Sequence, residues 1–501
     1  MTLLAQISRH AALGPHRPAL LSAGRQLDYA GLLAEVGSAV QQLRGLTAQV
    51  VAIDLENGPA WVVLDIAALQ LGVCLVPLPP FFSPAQLDHV MRLSGAAAVL
   101  SDDPVRLRQR IGALLQDDGL MLHIAGQAVC RIATSDRSAR RNADRPAAVD
   151  KITFTSGTTG RPKGVMLSWA QMRPVVTSLV AAAGMSRDDR HLVLMPLAVL
   201  LENIGGVYVA LWAGAAVVLA PPRQLGMQGS SQLDGRRMAA ALAEARATTT
   251  IFTPQTLQGL VEAIDQGAAE PPRLRFAAVG GAPVSARLLQ RAADAGLAVY
   301  QGYGLSECCS VVCLNTASHN RPGSAGRALP HAAVRIADDG EVVVGGQSFI
   351  GYLGEAPRAM ADWHTGDLGE LDADGYLYLH GRRRNVFITA FGRNVAPEWV
   401  ESELTLEPAI AQAAVFGEAR PYNVALIVAA PGASAADVEA ALARTNRDLP
   451  DYARVARWLA ADAAFSVTNG LLTGTGRLCR EPLLQRYALD IESLYREVQT
   501  S

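Results

Sequence analysis

Residues 152–168 read ITFTSGTTGRPKGVMLS. The pattern predicts an apolar strand that runs into a loop of hydroxyls and glycines with one lysine, Lys163, and then into a helix. Glycines let backbone N–H groups approach anionic oxygens, hydroxyls add donors, and the lysine adds a compact cation. The loop is therefore expected to bind a polyphosphate. It differs from the common P-loop, because Gly164 rather than Ser or Thr follows the lysine.

The composition excludes several classes of protein. The chain has 501 residues, of which 50% are apolar and 18% charged, so it is not disordered and has room for more than one core. Its 44 basic and 46 acidic residues give a net charge of −2, which argues against a nucleic-acid partner. Six cysteines without paired CxxC spacing indicate neither a disulfide framework nor a zinc site. The first 20 residues lack the apolar segment of a signal peptide, so a cytoplasmic location is expected.

The basic residues are strongly biased toward arginine. Only Lys151 and Lys163 are lysines, and the other 42 are arginines. A coding bias that favours arginine explains most of this imbalance. Since lysine and arginine are not equivalent at a reacting phosphate, the lysine kept within the polyphosphate loop suggests that arginine is not tolerated there.

Short apolar runs alternate with helical stretches before residue 334. The predicted strands are Val50–Asp54, Val73–Pro77, Ala97–Leu100, Thr249–Phe252 and Phe276–Val279, and the predicted helices are Pro59–Leu71, Pro84–Leu93 and Arg236–Ala247. This alternation predicts parallel α/β layers. Later strand–Asp-Gly–strand patterns around Gly340 and Gly375 predict hairpins, and a shorter α+β pattern follows Arg384. Proline and glycine interrupt the two longest uncharged stretches, so no membrane span is expected, and peripheral membrane contact stays open.

Three further motifs carry groups that suit a nucleotide. In QGYGLSE, residues 301–307, Tyr303 offers a flat face for a purine and Glu307 can hold a hard cation. In WHTGD, residues 363–367, the carboxylate of Asp367 can accept two hydroxyl donors, as a ribose diol requires. In the GRRR run that starts at Gly381, the first arginine can reach phosphate or ribose, whereas the other two also fit a role as surface charge.

The polyphosphate loop and these motifs, in this order, resemble the signatures of the acyl-adenylate-forming superfamily, which contains acyl-CoA synthetases, peptide-synthetase adenylation domains and luciferases. The sequence GRRR, residues 381–384, is similar to the hinge motif of this superfamily. The sequence FGRNVAPE, residues 391–398, continues that motif in the manner of long-chain acyl-CoA synthetases. The resemblance implies an α/β protein whose large N-terminal domain, residues 1–381, contains parallel-sheet α/β subdomains and a β-rich subdomain. A hinge at residues 382–384 and a small mobile α+β domain at residues 385–501 are implied to follow.

The resemblance also assigns the site residues. It implies catalytic roles for Lys163, Glu307 and Arg477, with Glu307 as the magnesium ligand and Arg384 as the hinge residue. The implied residues of the ATP or AMP site are Thr155, Ser156, Gly157, Thr158, Thr159, Gly160, Lys163, Gly281, Ala282, Pro283, Gln301, Gly302, Tyr303, Gly304, Ser306, Asp367 and Arg382. The implied acyl pocket contains Val199, Leu200, Asn203 and Gly280, and the implied thiol-acceptor side contains Gly392 and Arg393.

The implied reaction has two halves. A carboxylate attacks the α-phosphorus of ATP in the presence of Mg²⁺ to give an acyl-adenylate and pyrophosphate, and a thiol then takes the acyl group. Coenzyme A is the expected acceptor, and an acyl carrier protein is the alternative. Because Val199 and Leu200 are apolar, an aliphatic or aryl acid, first of all a fatty acid, is favoured over an amino acid. The direction of the nearby Glu202 side chain stays open.

One position departs from the family pattern. The family lysine that bridges the substrate carboxylate and the α-phosphate is Arg477 here, and Gly474 stands where the family has proline. Arginine supplies the same charge, and its fork can bind both oxyanions. Alternatively its bulk misplaces the carboxylate, and loss of one oxyanion donor costs about 10²–10³ in rate. A non-catalytic protein that binds nucleotide or acyl-adenylate is therefore the third possibility.

Overall fold

The structure is a computed structural model that describes residues 1–46, 50–135, 148–155, 162–228, 232–346, 348–355, 362–473 and 476–496. The helices are α1 (Leu3–Leu13), α2 (Tyr29–Leu43), α3 (Pro59–Leu71), α4 (Pro84–Ser94), α5 (Pro104–Ile111), α6 (Trp169–Ala182), α7 (Leu200–Glu202), α8 (Val209–Ala213), α9 (Gly235–Glu244), α10 (Pro254–Asp265), α11 (Ala286–Asp294), α12 (Pro397–Leu404), α13 (Ala435–Asp448) and α14 (Arg480–Arg496). A π-helical turn, Asn203–Tyr208, joins α7 to α8.

The strands pair into six sheets among the described residues. They are β1 (Pro18–Ser22), β2 (Arg25–Asp28), β3 (Val50–Asp54), β4 (Cys74–Pro77), β5 (Ala98–Ser101), β6 (Leu115–Ile124), β7 (Gln127–Thr134), β8 (Lys151–Thr155), β9 (Lys163–Leu167), β10 (Arg190–Leu192), β11 (Ala216–Val218), β12 (Met227–Gln228), β13 (Gln232–Leu233), β14 (Thr249–Phe252), β15 (Phe276–Val279), β16 (Val299–Leu305), β17 (Ser310–Leu314), β18 (Arg327–Ala328), β19 (Ala332–Ile336), β20 (Glu341–Gly346), β21 (Gly351–Tyr352), β22 (Trp363–Leu371), β23 (Leu377–Arg382), β24 (Phe387–Ile388), β25 (Asn394–Val395), β26 (Ile410–Phe416), β27 (Asn423–Ala429) and β28 (Val455–Ala460).

Two large sheets form the N-terminal part of the molecule. One has the order β21-β9-β8-β4-β3-β5-β7-β6, with a parallel centre from β8 to β5. The other has the order β18-β17-β16-β15-β14-β10-β11-β1-β2, with a parallel centre from β16 to β1. The central strands β3, β4, β5, β14 and β15 are buried along almost their whole length, as expected of parallel strands that are covered on both faces. The predicted α/β class is confirmed, and β3, β14, β15 and α3 have the predicted bounds.

The segment after the polyphosphate loop differs from the prediction. The structure has strand β9 there, paired antiparallel with β8, and a helix begins only at Trp169. Val165, Met166 and Leu167 are buried between β8 and β21, and the sheet pairs their backbone groups. Strands β8 and β9 on either side of the loop are therefore antiparallel neighbours, and residues 156–161 of the loop lie outside the described residues.

The later part of the chain builds smaller units. Strands β19, β20, β22 and β23 form an antiparallel sheet, which contains both predicted hairpins. The chain from Phe387 onward has a three-stranded sheet, β26-β27-β28, and an apolar core that includes Val400 on α12 and Val438 on α13. Among the described residues, no helix is long and apolar enough to cross a membrane.

Strand β8 begins at a fully buried lysine. The Lys151 ammonium lies 2.9 Å from a carboxylate oxygen of Asp65 on α3 and donates to the Tyr208 hydroxyl at 2.9 Å and to the side-chain oxygen of Asn203. The Tyr208 hydroxyl in turn donates to Asp65 at 2.7 Å. Burial lowers the pKa of Lys151, and the facing carboxylate opposes this change. The compact ammonium meets three acceptors in this cluster, which explains why a lysine rather than an arginine occupies the position.

Replacement of Lys151 by methionine is expected to lower the free energy of unfolding by about 3–5 kcal/mol, because Asp65 would stay buried without its cation. Lys163→Met is the matched control, since the only other lysine has a side chain that is 52% exposed. Urea denaturation of the two variants measures the difference. Equal stability of the variants would contradict a structural role for the buried pair.

Candidate active site

A cleft of about 3700 Å³ lies between the N-terminal sheets and the C-terminal domain. It brings together most of the site residues predicted from the sequence. Those that line it are Thr155, Lys163, Val199, Leu200, Gly280, Gly281, Ala282, Pro283, Gln301, Gly302, Tyr303, Gly304, Ser306, Glu307, Asp367, Arg382, Arg384 and Arg477. Three predicted residues, Asn203, Gly392 and Arg393, do not line it. The predicted residues Ser156, Gly157, Thr158, Thr159 and Gly160 lie outside the described residues.

One wall of the cleft carries a linked tyrosine, aspartate and arginine. The Tyr303 hydroxyl donates to one carboxylate oxygen of Asp367 at 2.6 Å, and Nε of Arg382 lies 2.9 Å from the other. Burial, and then the facing carboxylate, raise the pKa of Tyr303 well above its usual value, so the hydroxyl stays a donor. A carboxylate has about four acceptor positions. Asp367 can therefore keep both protein contacts and still accept hydroxyl donors from a ligand.

Glycines bring the backbone of β16 close to its neighbours. A Cβ atom at Gly304 would lie 1.8 Å from the carbonyl oxygen of Ser310 on β17. A Cβ atom at Gly280, in the loop after β15, would lie 3.2 Å from the carbonyl oxygen of Gly302. The wall beside Tyr303 is thus formed by closely packed backbone, and Tyr303 lines the cleft with only 8% of its surface exposed.

Lys163 and Glu307 are linked through a residue that the sequence analysis missed. The Tyr352 hydroxyl donates to Glu307 at 2.7 Å, and the ammonium of Lys163 lies 4.5 Å from the centre of the Tyr352 ring. The same ammonium lies 3.4 Å from a carboxylate oxygen of Glu355. Pairing of β21 with β9 brings Tyr352 here from far along the chain. Its isolated position in the sequence carried no signal of this role.

Glu307 is the carboxylate that the sequence predicts as the magnesium ligand. No group of three or more His, Cys, Asp or Glu side chains suited to a metal ion occurs in the part of the chain that the structure describes. Mg²⁺ is often bound by one or two carboxylates together with water and substrate phosphates. Glu307 lines the cleft and shares its neighbour Tyr352 with Lys163, and its carboxylate fits that mode of binding.

The part of the cleft wall formed by Val199 and Leu200 is apolar, and the nearby Glu202 carboxylate points away from it. The Glu202 carboxylate is fully buried, lies 2.8 Å from Nε2 of His191 and accepts the backbone N–H of Met195 at 3.0 Å. This answers the question that the sequence left open about its direction. Val199 and Leu200, one turn earlier, line the cleft.

The assignment of Asn203 to the acyl pocket is corrected by the structure. Its side chain is 1% exposed, accepts from Lys151 and donates to Asp65 at 2.9 Å. The residue stands at the start of the π-helical turn. The buried ion pair needs this amide to complete its hydrogen bonds, and the side chain therefore points into the core rather than the cleft.

Arg477 reaches the cleft from the C-terminal domain. Its Nε donates to the carbonyl oxygen of Gly281 at 3.1 Å, and a second guanidinium nitrogen donates to the same oxygen. Burial, and to a smaller extent Arg382, lower the pKa of Arg477. An arginine still keeps its charge at neutral pH. The two residues predicted for the thiol side, Gly392 and Arg393, occupy an exposed turn outside the cleft.

Contacts across the cleft hold the C-terminal domain in this orientation. The Ser285 hydroxyl donates to Glu403 at 2.7 Å, and the Gln258 amide donates to the carbonyl oxygen of Thr405 at 2.8 Å. Leu406, 5% exposed, packs into the apolar core around β14, β15, α10 and α11. These contacts accompany the insertion of Arg477, so the structure represents the orientation in which that arginine faces the site.

Comparison with known proteins identifies the family. Residues 7–354 match the sequence model described as AMP-binding enzyme, and residues 385–499 match the one described as AMP-binding enzyme C-terminal domain. The chain therefore belongs to the AMP-binding enzyme family, as the resemblance of its motifs indicated, and it is an adenylate-forming enzyme of the acid–thiol ligase class.

Individual relatives narrow the comparison to ligases for coenzyme A. The chain is 27% identical to the long-chain-fatty-acid–CoA ligase FadD15 of Mycobacterium bovis, over 87% of this chain and 86% of that protein. It is 29% identical to the feruloyl-CoA synthase of an Amycolatopsis species, over 96% and 98%. The fold matches the o-succinylbenzoate CoA synthetase of Bacillus subtilis in complex with an acyl-adenylate intermediate, with a TM-score of 0.77, 23% identity and coverage of 95% and 97%. The latter enzyme is also known with ATP and a magnesium ion.

Replacement of Gly304 by alanine is expected to destabilise the protein by about 1–3 kcal/mol, because the added methyl group would overlap the Ser310 carbonyl. Binding of AMP, measured by calorimetry, is expected to weaken as β16 shifts. Gly37→Ala is the control, since this glycine lies within α2 with open space around it. That change should stabilise the protein by about 0.5–1 kcal/mol. Unchanged AMP binding by Gly304→Ala would show that the close approach of the strands is not needed for the site.

Proposed function

We propose that this acid–CoA ligase activates an apolar carboxylic acid, with a fatty acid as the first candidate, and transfers the acyl group to coenzyme A. The observation that carries the proposal is the lining of the cleft by Val199 and Leu200, with the Glu202 carboxylate held by His191 away from it. An amino acid substrate would need a carboxylate to pair with its ammonium. Since one relative is named feruloyl-CoA synthase, an aryl acid is the second candidate.

The nucleotide is assigned to the wall that carries Tyr303. In this proposal the tyrosine ring packs against the adenine, and Asp367 accepts the two ribose hydroxyls. Arg382 holds Asp367 in place from a distance of 2.9 Å. The residues around them, Gly281, Ala282, Pro283, Gln301, Gly302, Gly304 and Ser306, complete the wall.

The phosphates are assigned to the end of the cleft near β8 and β9. Lys163 and Thr155 line it there. Glu307 would hold Mg²⁺, which when bound neutralises phosphate charge. The ring of Tyr352 restricts the swing of the Lys163 ammonium, so that the cation is already aimed when the phosphates arrive.

In the first half-reaction the acid carboxylate attacks the α-phosphorus in line, and pyrophosphate leaves. We assign the neutralisation of the carboxylate and of the α-phosphate to Arg477. Before substrate binds, its guanidinium rests on the neutral carbonyl oxygen of Gly281, an acceptor that oxyanions can replace. Catalysis here consists of positioning and electrostatic stabilisation.

The second half-reaction requires a different orientation of the small domain. We propose that the domain of residues 385–501 rotates about residues 382–384, with Arg384 as the hinge residue. This motion would withdraw Arg477 and bring Gly392 and Arg393 to the cleft, where the thiol of coenzyme A attacks the acyl carbonyl and AMP leaves. Contacts such as that between Ser285 and Glu403 would then have to break.

The function is tested by ATP–pyrophosphate exchange with a panel of fatty, aryl and amino acids. Exchange by the wild type is expected with apolar acids, and Arg477→Ala should lower it by about 10²–10³, as expected for loss of one oxyanion donor. Arg477→Lys should retain exchange, since the charge is kept.

The outcome also separates the alternatives. Exchange seen only after Arg477→Lys would mean that the natural chain binds nucleotide without turnover. Mass spectrometry of the product, with coenzyme A or a phosphopantetheinylated carrier protein as acceptor, identifies the thiol. Transfer to the carrier protein alone would contradict the assignment of coenzyme A.

A further inference from the structure

The loop that carries Arg477 is short and rich in glycine. Gly470 and Gly476 both adopt positive φ angles, of 74° and 79°, and Gly474 stands where the family has proline. Glycine widens the range of accessible backbone conformations, whereas proline narrows it. The sequence of this loop therefore does not by itself fix the direction of the arginine.

Backbone contacts tie the two ends of the loop together. The Thr473 N–H donates to the Arg477 carbonyl oxygen at 2.7 Å, and the Arg477 N–H donates to the Thr473 hydroxyl at 3.0 Å. The Cys479 N–H donates to the carbonyl oxygen of Leu471 at 2.9 Å, and Leu471 is 2% exposed. These contacts join the described residues on the two sides of positions 474–475, so the direction of Arg477 depends on what holds the base of this segment, where α14 begins.

A buried ion pair holds that base. Arg480 is the first residue of α14, three positions after Arg477, and one of its guanidinium nitrogens lies 2.6 and 2.7 Å from the two carboxylate oxygens of Glu401 on α12. A second nitrogen donates to the carbonyl oxygen of Val415 at 3.0 Å, and the N–H of Val415 donates to Glu401 at 2.7 Å. The side chains of Arg480 and Glu401 are only 15% and 9% exposed.

The same guanidinium is connected to the chain next to the hinge. Its Nε lies 3.8 Å from a carboxylate oxygen of Glu398, which accepts a hydrogen bond from the side-chain amide of Asn385. Asn385 directly follows Arg384. One arginine therefore links the loop, α12 and the start of the small domain.

We propose that Arg480 is a positioning residue for Arg477. Arg480 directs the guanidinium of Arg477 toward the Gly281 side of the cleft and so serves the first half-reaction alone. This inference rests on the proposed function, in which Arg477 acts during adenylation and leaves the site before thiol transfer. Misplacement of a catalytic group by about 1 Å can cost about 10² in rate. Loss of the ion pair between Arg480 and Glu401 should therefore slow adenylation and leave transfer from a preformed acyl-adenylate intact.

The test compares the two half-reactions in three single variants. Arg480→Met removes the charge and keeps most of the stem, Arg480→Lys is the conservative variant, and Arg486→Met is the control. Arg486 lies on the same helix and pairs with Asp462 on the surface. ATP–pyrophosphate exchange measures adenylation, and release of AMP from synthetic acyl-adenylate and coenzyme A measures transfer.

Arg480→Met is expected to lower the kcat of exchange by about 10², with transfer changed less than about twofold, and Arg480→Lys should recover part of the loss. Arg486→Met should match the wild type in both assays. In the double variant Arg477→Ala/Arg480→Met, exchange should be no lower than in Arg477→Ala, because residues that act through one another are not additive. Losses that multiply in the double variant, or equal losses in both half-reactions, would overturn the inference.

A second variant guards against simple unfolding. Arg480→Met leaves Glu401 buried without its cation, which can destabilise the domain, whereas Arg480→Met/Glu401→Leu replaces the pair by apolar groups. The double variant Arg480→Met/Glu401→Leu should have the melting temperature of the wild type and still lose ATP–pyrophosphate exchange selectively. If it melts normally and exchanges at the wild-type rate, the ion pair does not position Arg477. Absence of acid-dependent exchange in the wild type would instead overturn the proposed function and this inference together.

Discussion

The buried ion pair between Lys151 and Asp65 joins three parts of the molecule that must stay in register. Lys151 begins the strand that leads into the polyphosphate loop, and Asp65 lies on α3. Asn203 and Tyr208, which complete the hydrogen bonds, bound the π-helical turn just after the apolar wall of the cleft. Because a charge buried without a partner is very costly, the end of the cleft near β8 and β9 and the wall that contains Val199 and Leu200 cannot shift independently.

Neighbouring side chains also hold a charged group in the wall of the cleft that carries Tyr303. Tyr303 and Arg382 both bind Asp367, so the carboxylate is oriented before any ligand arrives. Elsewhere in the cleft, Tyr352 contacts both Glu307 and Lys163. In each case a group expected to meet the substrate is held by a neighbour, which lowers the reorganisation needed during the reaction.

The sequence predicted the parallel strands and the order of the motifs, because buried strands are distinct apolar runs and the loops contain rare combinations of glycine and polar residues. It did not predict β9, since a short apolar run after a loop suits a strand or a helix equally. It placed Asn203 in the pocket because sequence does not tell which way a side chain leaves a π-helical turn. It missed Tyr352 because only tertiary pairing brings that residue to Lys163.

The replacement of the family lysine by Arg477 is understood only together with the residues around it. An arginine is longer and planar, and its donors have a fixed geometry, so its direction matters more than that of an ammonium. Gly470 and Gly476, close to Arg477 in the chain, have positive φ angles, which glycine adopts without strain. The bond to Gly281 fixes one end of the guanidinium, and the ion pair of Arg480 with Glu401 fixes the base of the loop. In the proposed mechanism, Arg477 then provides the charge for adenylation, and the ion pair of Arg480 with Glu401 supports it.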